Sequence, residues 1–175
     1  MSEKLLLDAE EWLPVVDEQG NTIGKHLRSE FHNGSKLLHP VVHLHVIGSD
    51  GTLFLQKRPI NKLIQPGKWD TAVGGHIAFG EVLETSLRRE ALEEIGLVDF
   101  KAQLASRYRW DSEIESELVF TFITYDTATI NIHTDEVEEG RFWRFNEIRK
   151  QLGKAVFTPN FEYEFRMLDD MGIFI

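Results

Sequence analysis

One stretch constrains this chain more than any other: residues 75–97, GHIAFGEVLETSLRREALEEIGL. Leu83 and Leu87 begin an apolar seam at helical spacing, and Glu90 and Glu94 continue the same seam at the next steps. Two carboxylates therefore occupy positions where packing favours hydrocarbon, and near a buried face the cost of desolvation adds to their mutual repulsion. The pattern predicts a helix whose acidic side a bound cation would stabilise.

Glu93 lies beside these two positions, so three carboxylates gather on one side of the predicted helix. Oxygen ligands favour Mg²⁺ or Mn²⁺ over Zn²⁺, and the chain contains no cysteine that could supply a sulfur ligand. A solvated acidic face held by Arg88 and Arg89 is the alternative interpretation. Gly96 follows the helical pattern at the place where a left-handed C-terminal cap is expected.

Length and charge limit the classes of function. At 175 residues the chain has the length of one well-buried domain. Its formal net charge of −10 disfavours broad binding to nucleic acid, which depends on Lys and Arg. No apolar run approaches the roughly 20 residues that span a bilayer, and the acidic N-terminal segment does not read as a signal peptide. We therefore expect a cytoplasmic protein that binds neither nucleic acid nor membrane.

Strands are predicted before, between and after two or three helices, which indicates an α/β domain. His43 and His45 alternate with apolar residues on one strand, so we expect them to be packing or surface residues. The predicted elements are a hairpin at 11–25, a short helix or loop at 28–34, strands at 41–47, 53–55, 69–73, 100–110 and 118–125, a helix at 146–152 with Asn146 at its cap, and a helix at 158–171 with Pro159 in its first turn.

The acidic helix and its flanking glycines match the Nudix box in full, and the chain resembles the Nudix hydrolase family. The resemblance implies the Nudix fold, an α/β/α sandwich with a mixed β-sheet in which the box forms a loop–helix–loop. Together with the length of the chain it indicates a single domain over residues 1–175, with the hairpin as an N-terminal extension at about 10–30. The box positions are Gly75, Glu81, Arg89, Glu90, Ala91, Glu93, Glu94, Gly96 and Leu97.

The same resemblance implies Mg²⁺-dependent hydrolysis of a diphosphate bond in a nucleoside diphosphate-linked or related small substrate. Glu90, Glu93 and Glu94 would ligate the metal, with the backbone carbonyl of Gly75 as a further ligand. Within the box, Arg89 would orient a glutamate through a charge-assisted pair. Glu81 would support the site by pairing with an arginine of the helix.

The general base and the substrate contacts are less closely defined. Some family members use a box glutamate as the base, whereas others use a glutamate on a later loop. Glu136 is the first candidate in such a loop and Glu117 the second, and either acid could instead be an ordinary solvated residue. Lys57 and Arg58 end a strand that approaches the predicted site, where they would bind phosphate or form surface salt bridges.

A finer resemblance, carried by VDEQGNTIG, LQKRPINK and PGKWDTAVGGH, points to the branch near isopentenyl-diphosphate isomerase. His32, His39 and His76 fall where those enzymes place metal-binding histidines, and Glu117 falls near their catalytic glutamate. These four residues are a candidate second metal site, and local hydrogen bonding of the histidines is the alternative. The isomerases carry a cysteine where this chain has Gly74, and they have a degraded box, so the departures favour hydrolysis.

Two other functions stay open at this point. One is an isomerase-like enzyme acting on an isoprenoid diphosphate. The other is a catalytically idle module that binds a nucleotide or sugar nucleotide, although such a module would usually have lost box glutamates. The family resemblance also makes a homodimer an expectation, because dimers are common among its members.

Overall fold

A computed structural model of the chain describes residues 11–62, 64–125, 130–132 and 137–175. Strands form most of the regular structure and helices are few, so the predicted α/β class is confirmed. In chain order the elements are β1 (Trp12–Val16), β2 (Thr22–Leu27), α1 (Arg28–Phe31), β3 (Leu38–Gly48), β4 (Thr52–Lys57), β5 (Trp69–Thr71), β6 (Val73–His76), α2 (Leu83–Ile95), β7 (Gln103–Asp111), β8 (Ser116–Thr124), β9 (Glu139–Arg144), α3 (Phe145–Gln151) and α4 (Pro159–Asp170).

The first two strands form the predicted hairpin, a two-stranded antiparallel sheet of its own. Its turn is held by Asp17, whose carboxylate accepts hydrogen bonds from the backbone N–H groups of Gln19 and Asn21 at 2.9 and 2.8 Å. Gly20 has φ +89°, a left-handed conformation that glycine adopts without steric cost. Turn chemistry thus closes the hairpin where the sequence predicts it.

The other seven strands form one sheet with the order β5-β4-β3-β8-β7, in which β6 also pairs with β3 and β9 with β4. Strand β4 has three neighbours, because it pairs antiparallel with β3, β5 and β9. Val46 of β3 lies opposite Phe54, and Trp143 of β9 lies opposite Leu53. These pairings carry β4, and with it Gln56 near its end, through the interior of the sheet.

By its contacts the described chain divides into two compact units, of which the first comprises residues 11–42, 75–87 and 107–120. Two small apolar clusters support the hairpin side of this unit. Burial of such side chains contributes roughly 1.5–3 kcal/mol each. The clusters are Leu13, Val15 and Phe31, and Val16, Leu38 and Leu118.

The second unit comprises the described residues of 43–74, 88–106 and 121–175. Its core is rich in aromatic rings, several of which pack edge to face or tilted at centroid distances near 5 Å, such as Trp69 with Trp143 at 5.1 Å. Helix α4 supplies much of this core. The buried residues are Ile47, Leu53, Leu55, Trp69, Ile123, Trp143, Phe145, Ile148, Phe157, Phe161, Phe165, Leu168 and Phe174.

Several element predictions need correction. Helix α3 begins at Phe145 with Arg144 at its N-cap, so the predicted cap at Asn146 is wrong; Asn146 accepts a hydrogen bond from Arg149 instead. The predicted strand at 69–73 is divided into β5 and β6, since Ala72 falls between two separate pairings. The final helix does begin at Pro159, as predicted.

The lengths of the helices can be compared with the length that a membrane span requires. Within the ranges described, no helix is both long and apolar enough to cross a bilayer.

Candidate active site

Helix α2 carries the acidic seam that the sequence predicts. Leu87, Ala91 and Ile95 are buried on it, with at most 1% exposure, because they follow the helical repeat of one face. Glu90 and Glu94 lie on the edge of the same face and are each only 8% exposed, whereas Glu93 is exposed. Two of the three box glutamates therefore sit in a partly desolvated setting on a well-anchored helix.

Glu94 lies in the most restrictive environment of the three. Its Oε2 accepts a hydrogen bond from Nε2 of Gln56 at 2.6 Å and another from the backbone N–H of Gly74 at 3.2 Å. Burial raises the pKa of Glu94, and the nearby carboxylate of Glu90 raises it further, against these two hydrogen bonds, to about 8. The carboxylate is held in place but disfavoured in its ionised form, which is the setting that a cation reverses.

Glu90 and Glu93 are joined by one arginine. Nη1 of Arg89 donates to Oε1 of Glu90 at 2.7 Å and lies 3.6 Å from Oε2 of Glu93. The short contact to Glu90 is charge-assisted and fixes that side chain on the helix. Arg89 thus has the geometry of the orienting role that the resemblance implies.

The glycine after the helix takes the conformation that the box pattern predicts, while the predicted pairing of Glu81 with an arginine of the helix stays a prediction. Gly96 has φ +66°, so the helix ends at Ile95 in a left-handed cap. Before the helix, Oε2 of Glu81 accepts a hydrogen bond from the backbone N–H of Ala78 at 3.2 Å. Glu81 therefore bonds to the backbone of the loop that leads into α2.

The two cationic residues at the end of β4 are each paired with a local acid. Nζ of Lys57 lies 3.7 Å from Glu138 and 3.8 Å from Glu139. Nη1 of Arg58 lies 3.4 Å from Oδ2 of Asp70. Such partly exposed pairs contribute little stability, about 0–1 kcal/mol each, so a phosphate could displace their acids at small cost.

The three histidines singled out by the isomerase resemblance come together in the first unit. The ring of His76 stacks on that of His39 at a centroid distance of 5.3 Å and meets the ring of His32 at 5.3 Å. Ligand atoms of His39, Glu115 and Glu117 all lie within 4.8 Å of one another. The Nε2 of His39 is buried with no hydrogen-bond partner among the described atoms, and burial lowers the pKa of His39 to about 4.

One candidate for the general base cannot be placed. Glu136 lies outside the described residues, so its role stays a prediction. Glu117, the second candidate, lies near the start of β8 in the histidine group.

Sequence reasoning missed three polar residues that matter for these groups. Gln56 gave no signal as a partner of Glu94, since 38 residues separate them. Glu115 lies 2.5 Å from Nδ1 of His32, and only its spacing from Glu117 on a strand could have suggested it. Glu164 is fully buried in α4 and bonds to both His43 and His45, so the two histidines are packed in the interior, as one of the two expectations had it, but around a buried acid that the sequence did not indicate.

Comparison with known proteins agrees with the arrangement on α2. The family model for the NUDIX domain matches residues 37–161, well over half of the chain. The chain belongs to the Nudix family. An uncharacterized Nudix hydrolase from Yersinia pestis is 37% identical over 150 residues, which cover 86% of this chain and 81% of that protein.

Two other similarities place the chain within this family. An isopentenyl-diphosphate Delta-isomerase from Agromyces mediolanus is 37% identical over 170 residues, covering 93% of this chain and 82% of that protein. The crystal structure of the Deinococcus radiodurans protein DR0079 superposes with a TM-score of 0.77 at 20% identity, covering 90% of this chain and 98% of the other. The chain is therefore a Nudix hydrolase of the isopentenyl-diphosphate-isomerase-like branch, and the Nudix fold is confirmed.

Family membership also defines the general type of reaction. It supports an activity of the pyrophosphate-hydrolase type on small phosphorylated molecules.

Proposed function

We propose that this Nudix hydrolase cleaves a diphosphate bond in a nucleoside diphosphate-linked or related small substrate, with Mg²⁺ or Mn²⁺ as its cofactor. One observation carries the proposal: Glu90 and Glu94 are buried carboxylates on one helix face, and the charge of Glu90 disfavours the ionised form of Glu94. A fold tolerates such a pair when a cation compensates it.

The donor set fits this cofactor. The group offers carboxylate oxygens only, and the chain has no cysteine, so hard divalent cations suit it better than zinc. When bound, the metal supplies charge neutralisation at the diphosphate and a lowered pKa of the attacking water. By the resemblance, the carbonyl of Gly75 and the exposed carboxylate of Glu93 would complete the ligand set.

The remaining residues prepare the site. Arg89 holds Glu90 in position through its 2.7 Å contact, and Gln56 together with the Gly74 backbone holds Glu94. Glu136 is proposed as the general base that takes the proton of the attacking water. Lys57 and Arg58, at the end of β4, are proposed to bind substrate phosphate in exchange for their present acidic partners.

The test is an assay of phosphate and pyrophosphate release with Mg²⁺. The panel contains nucleoside triphosphates, ADP-ribose, sugar nucleotides, dinucleoside polyphosphates and isopentenyl diphosphate. Glu90→Gln and Glu94→Gln are expected to lower kcat by about 100-fold or more, because each removes a charge at the metal. Glu84→Gln, on the exposed first turn of the same helix, is the matched control and should keep the wild-type rate.

The outcomes are distinct. Hydrolysis that disappears in Glu94→Gln but persists in Glu84→Gln supports the proposal and identifies the substrate class. Mg²⁺ binding by the wild type without any hydrolysis would instead favour an idle module that binds a nucleotide or sugar nucleotide.

A second function, isomerisation of an isoprenoid diphosphate, is favoured by the histidine group. The buried Nε2 of His39 lacks a partner in the described structure, and a ring nitrogen of His39 lies within 4.8 Å of carboxylate oxygens of Glu115 and Glu117, so these residues fit a second metal. His32 and His76 would complete that site, as the resemblance implies. Isopentenyl diphosphate converted without release of phosphate would support this function, and the same substrate left unchanged would count against it.

Four further expectations complete the proposal. We propose one domain over residues 1–175, a cytoplasmic location, a small phosphorylated substrate rather than nucleic acid as the partner, and a homodimer. Size-exclusion chromatography with light scattering would test the homodimer, and limited proteolysis would test the single domain.

A further inference from the structure

A buried carboxylate organises a polar cluster in the second unit. Oε2 of Glu164 lies 3.0 Å from Nδ1 of His43 and 3.0 Å from Nε2 of His45. Thr71 donates to the same oxygen at 3.5 Å, and Thr121 donates to Oε1. Glu164 is 0% exposed. We call Glu164 and these four partners the Glu164 cluster. The proposed hydrolysis assigns no role to the residues of this cluster.

The charge of the cluster fixes the protons on its histidines. Burial alone would raise the pKa of Glu164, but the charges and hydrogen bonds of His43 and His45 hold it below its ordinary value. Glu164 is therefore a carboxylate, which accepts hydrogen bonds and donates none. Nδ1 of His43 must then carry a proton, and the ring is held in one orientation, as in other carboxylate–histidine pairs.

The opposite edge of the His43 ring faces Gly74. A Cβ at Gly74 would lie 3.5 Å from Cδ2 and 3.6 Å from Nε2 of His43. Gly74 is exposed, and the side chain of His43 keeps 11% of its exposure. A ligand atom over Gly74, a few tenths of an ångström nearer than that Cβ, would be at hydrogen-bond distance from Nε2.

The backbone of Gly74 connects this edge to the proposed metal ligands. Its N–H donates to Oε2 of Glu94 at 3.2 Å. A diphosphate bound beside Glu94 would therefore lie close to Gly74, where glycine leaves the space of a side chain open.

We propose that His43, oriented by Glu164, is a catalytic residue that binds a diphosphate oxygen of the substrate over Gly74 as an imidazolium: the N–H at Nε2 donates to that oxygen while the N–H at Nδ1 stays bonded to Glu164. The inference rests on the proposed hydrolysis and adds a substrate contact from outside the Nudix box. Glu164 is a positioning residue, because it acts through the ring of His43 and lies fully buried away from solvent.

His45 provides a matched control within the same cluster. It bonds to the same carboxylate oxygen at the same 3.0 Å, from the same strand, but it is 0% exposed and its Nδ1 is buried without a partner in the part of the chain described. His45 therefore makes the same hydrogen bond to Glu164 as His43 does, but its buried ring presents no nitrogen to a substrate. A purely structural cluster would make the two histidines equivalent.

The experiment compares His43→Asn with His45→Gln. Asparagine keeps an N–H donor near the position of Nδ1 and removes Nε2, and glutamine keeps a donor near the Nε2 of His45. Both variants therefore retain a donor to Glu164. His43→Asn is expected to lower kcat by about 10- to 100-fold, as for the loss of a hydrogen bond to a charged group, while His45→Gln stays within about 3-fold of wild type and both keep similar Tm.

A second measurement does not require turnover. ¹⁵N NMR of the histidine rings follows titration of the Mg²⁺-loaded protein with methylenediphosphonate, a diphosphate analogue that is not hydrolysed. The Nε2 resonance of His43 should move, and those of His45 should not. Gly74→Ala, whose Cβ would fill the space over His43 at ordinary contact distance, should weaken binding of the analogue.

These outcomes separate the two proposals. If the His43 resonance moves but the protein hydrolyses nothing on the panel, the proposed hydrolase activity is refuted and the proposed contact of His43 with a diphosphate is supported. Hydrolysis at the wild-type rate by His43→Asn overturns the contact and keeps the hydrolase. Equal losses of rate in His43→Asn and His45→Gln, or a His43 resonance that does not move, also overturn the contact.

Discussion

Replacing Glu94 by glutamine should stabilise the metal-free protein at alkaline pH while it removes activity. The carboxyl group has an ordinary pKa of 4.5 and a pKa of about 8 in the fold, because burial and Glu90 disfavour its charge. Between these two values the folded state binds more protons than the unfolded chain, so stability falls as pH rises. The stabilising effect of the neutral group is complete below pH 4.5 and is lost toward pH 8.

The size of the effect follows from this difference in pKa. At 1.36 kcal/mol per pKa unit it corresponds to about 5 kcal/mol in total, of which about 3 kcal/mol is lost between pH 5 and pH 8. No discount for solvent screening applies, since Glu94 is only 8% exposed. Glutamine keeps a carbonyl oxygen that can accept the hydrogen bonds of Gln56 and Gly74, so the substitution removes the charge and little else.

The assay is urea unfolding in EDTA at several values of pH from 5 to 8, for the wild type and Glu94→Gln. The contributions of the other titrating groups cancel in the difference between the two free energies of unfolding. From pH 5 to pH 8 the variant should gain about 3 kcal/mol of stability relative to the wild type. Mg²⁺ at pH 8 should then raise the stability of the wild type much more than that of Glu94→Gln. Parallel pH profiles of the two proteins in EDTA would refute the reasoning, because they would mean that Glu94 ionises at no cost.

Three further perturbations test the fold around the site. Gly96→Ala should cost about 1–2 kcal/mol of unfolding free energy, measured by urea denaturation, because φ is +66° and the new Cβ would lie 2.9 Å from the carbonyl oxygen of Asn131. Thr158→Ala should cost about 1 kcal/mol by the same measurement, since the hydroxyl accepts the N–H of Phe161 at the start of α4; an unchanged Tm would contradict this. Burial lowers the pKa of His39 from 6.5 to about 4, so its neutral ring should stabilise the protein above pH 6.5. This contribution to the free energy of unfolding should be lost as the pH falls toward 4. Thermal melts of His39→Gln should therefore show a smaller loss of stability over that range than melts of the wild type.

Local patterns predicted the parts of the site that lie on one element. The apolar repeat of α2 identifies Glu90 and Glu94 as acids on a buried face, since side-chain direction in a helix follows directly from spacing. The cap at Gly96 follows for the same reason, because only the last turn of the helix and one glycine are involved. These features need no knowledge of the rest of the fold.

Contacts between distant elements could not be predicted in the same way. His43 and Glu164 are 121 residues apart, and the alternation of His43 and His45 with apolar residues indicates only that both lie on one face of a strand. Whether that face meets solvent, hydrocarbon or a carboxylate depends on what packs against it. Here α4 brings a buried acid. Helical spacing from Phe161 and Leu168 puts Glu164 on the apolar face of α4, but spacing cannot show which strand residues that face meets.

The absence of a side chain at residue 74 bears on the choice between hydrolysis and isomerisation. Isomerisation needs a proton-transfer group at carbon, and neither Gly74 nor any cysteine in the chain supplies the one implied by the isomerase resemblance. Hydrolysis needs a diphosphate held close to Glu94, and a glycine beside that carboxylate gives the phosphate room and a neighbouring imidazole edge. The buried carboxylates and the open position at Gly74 thus favour the same reaction for independent physical reasons.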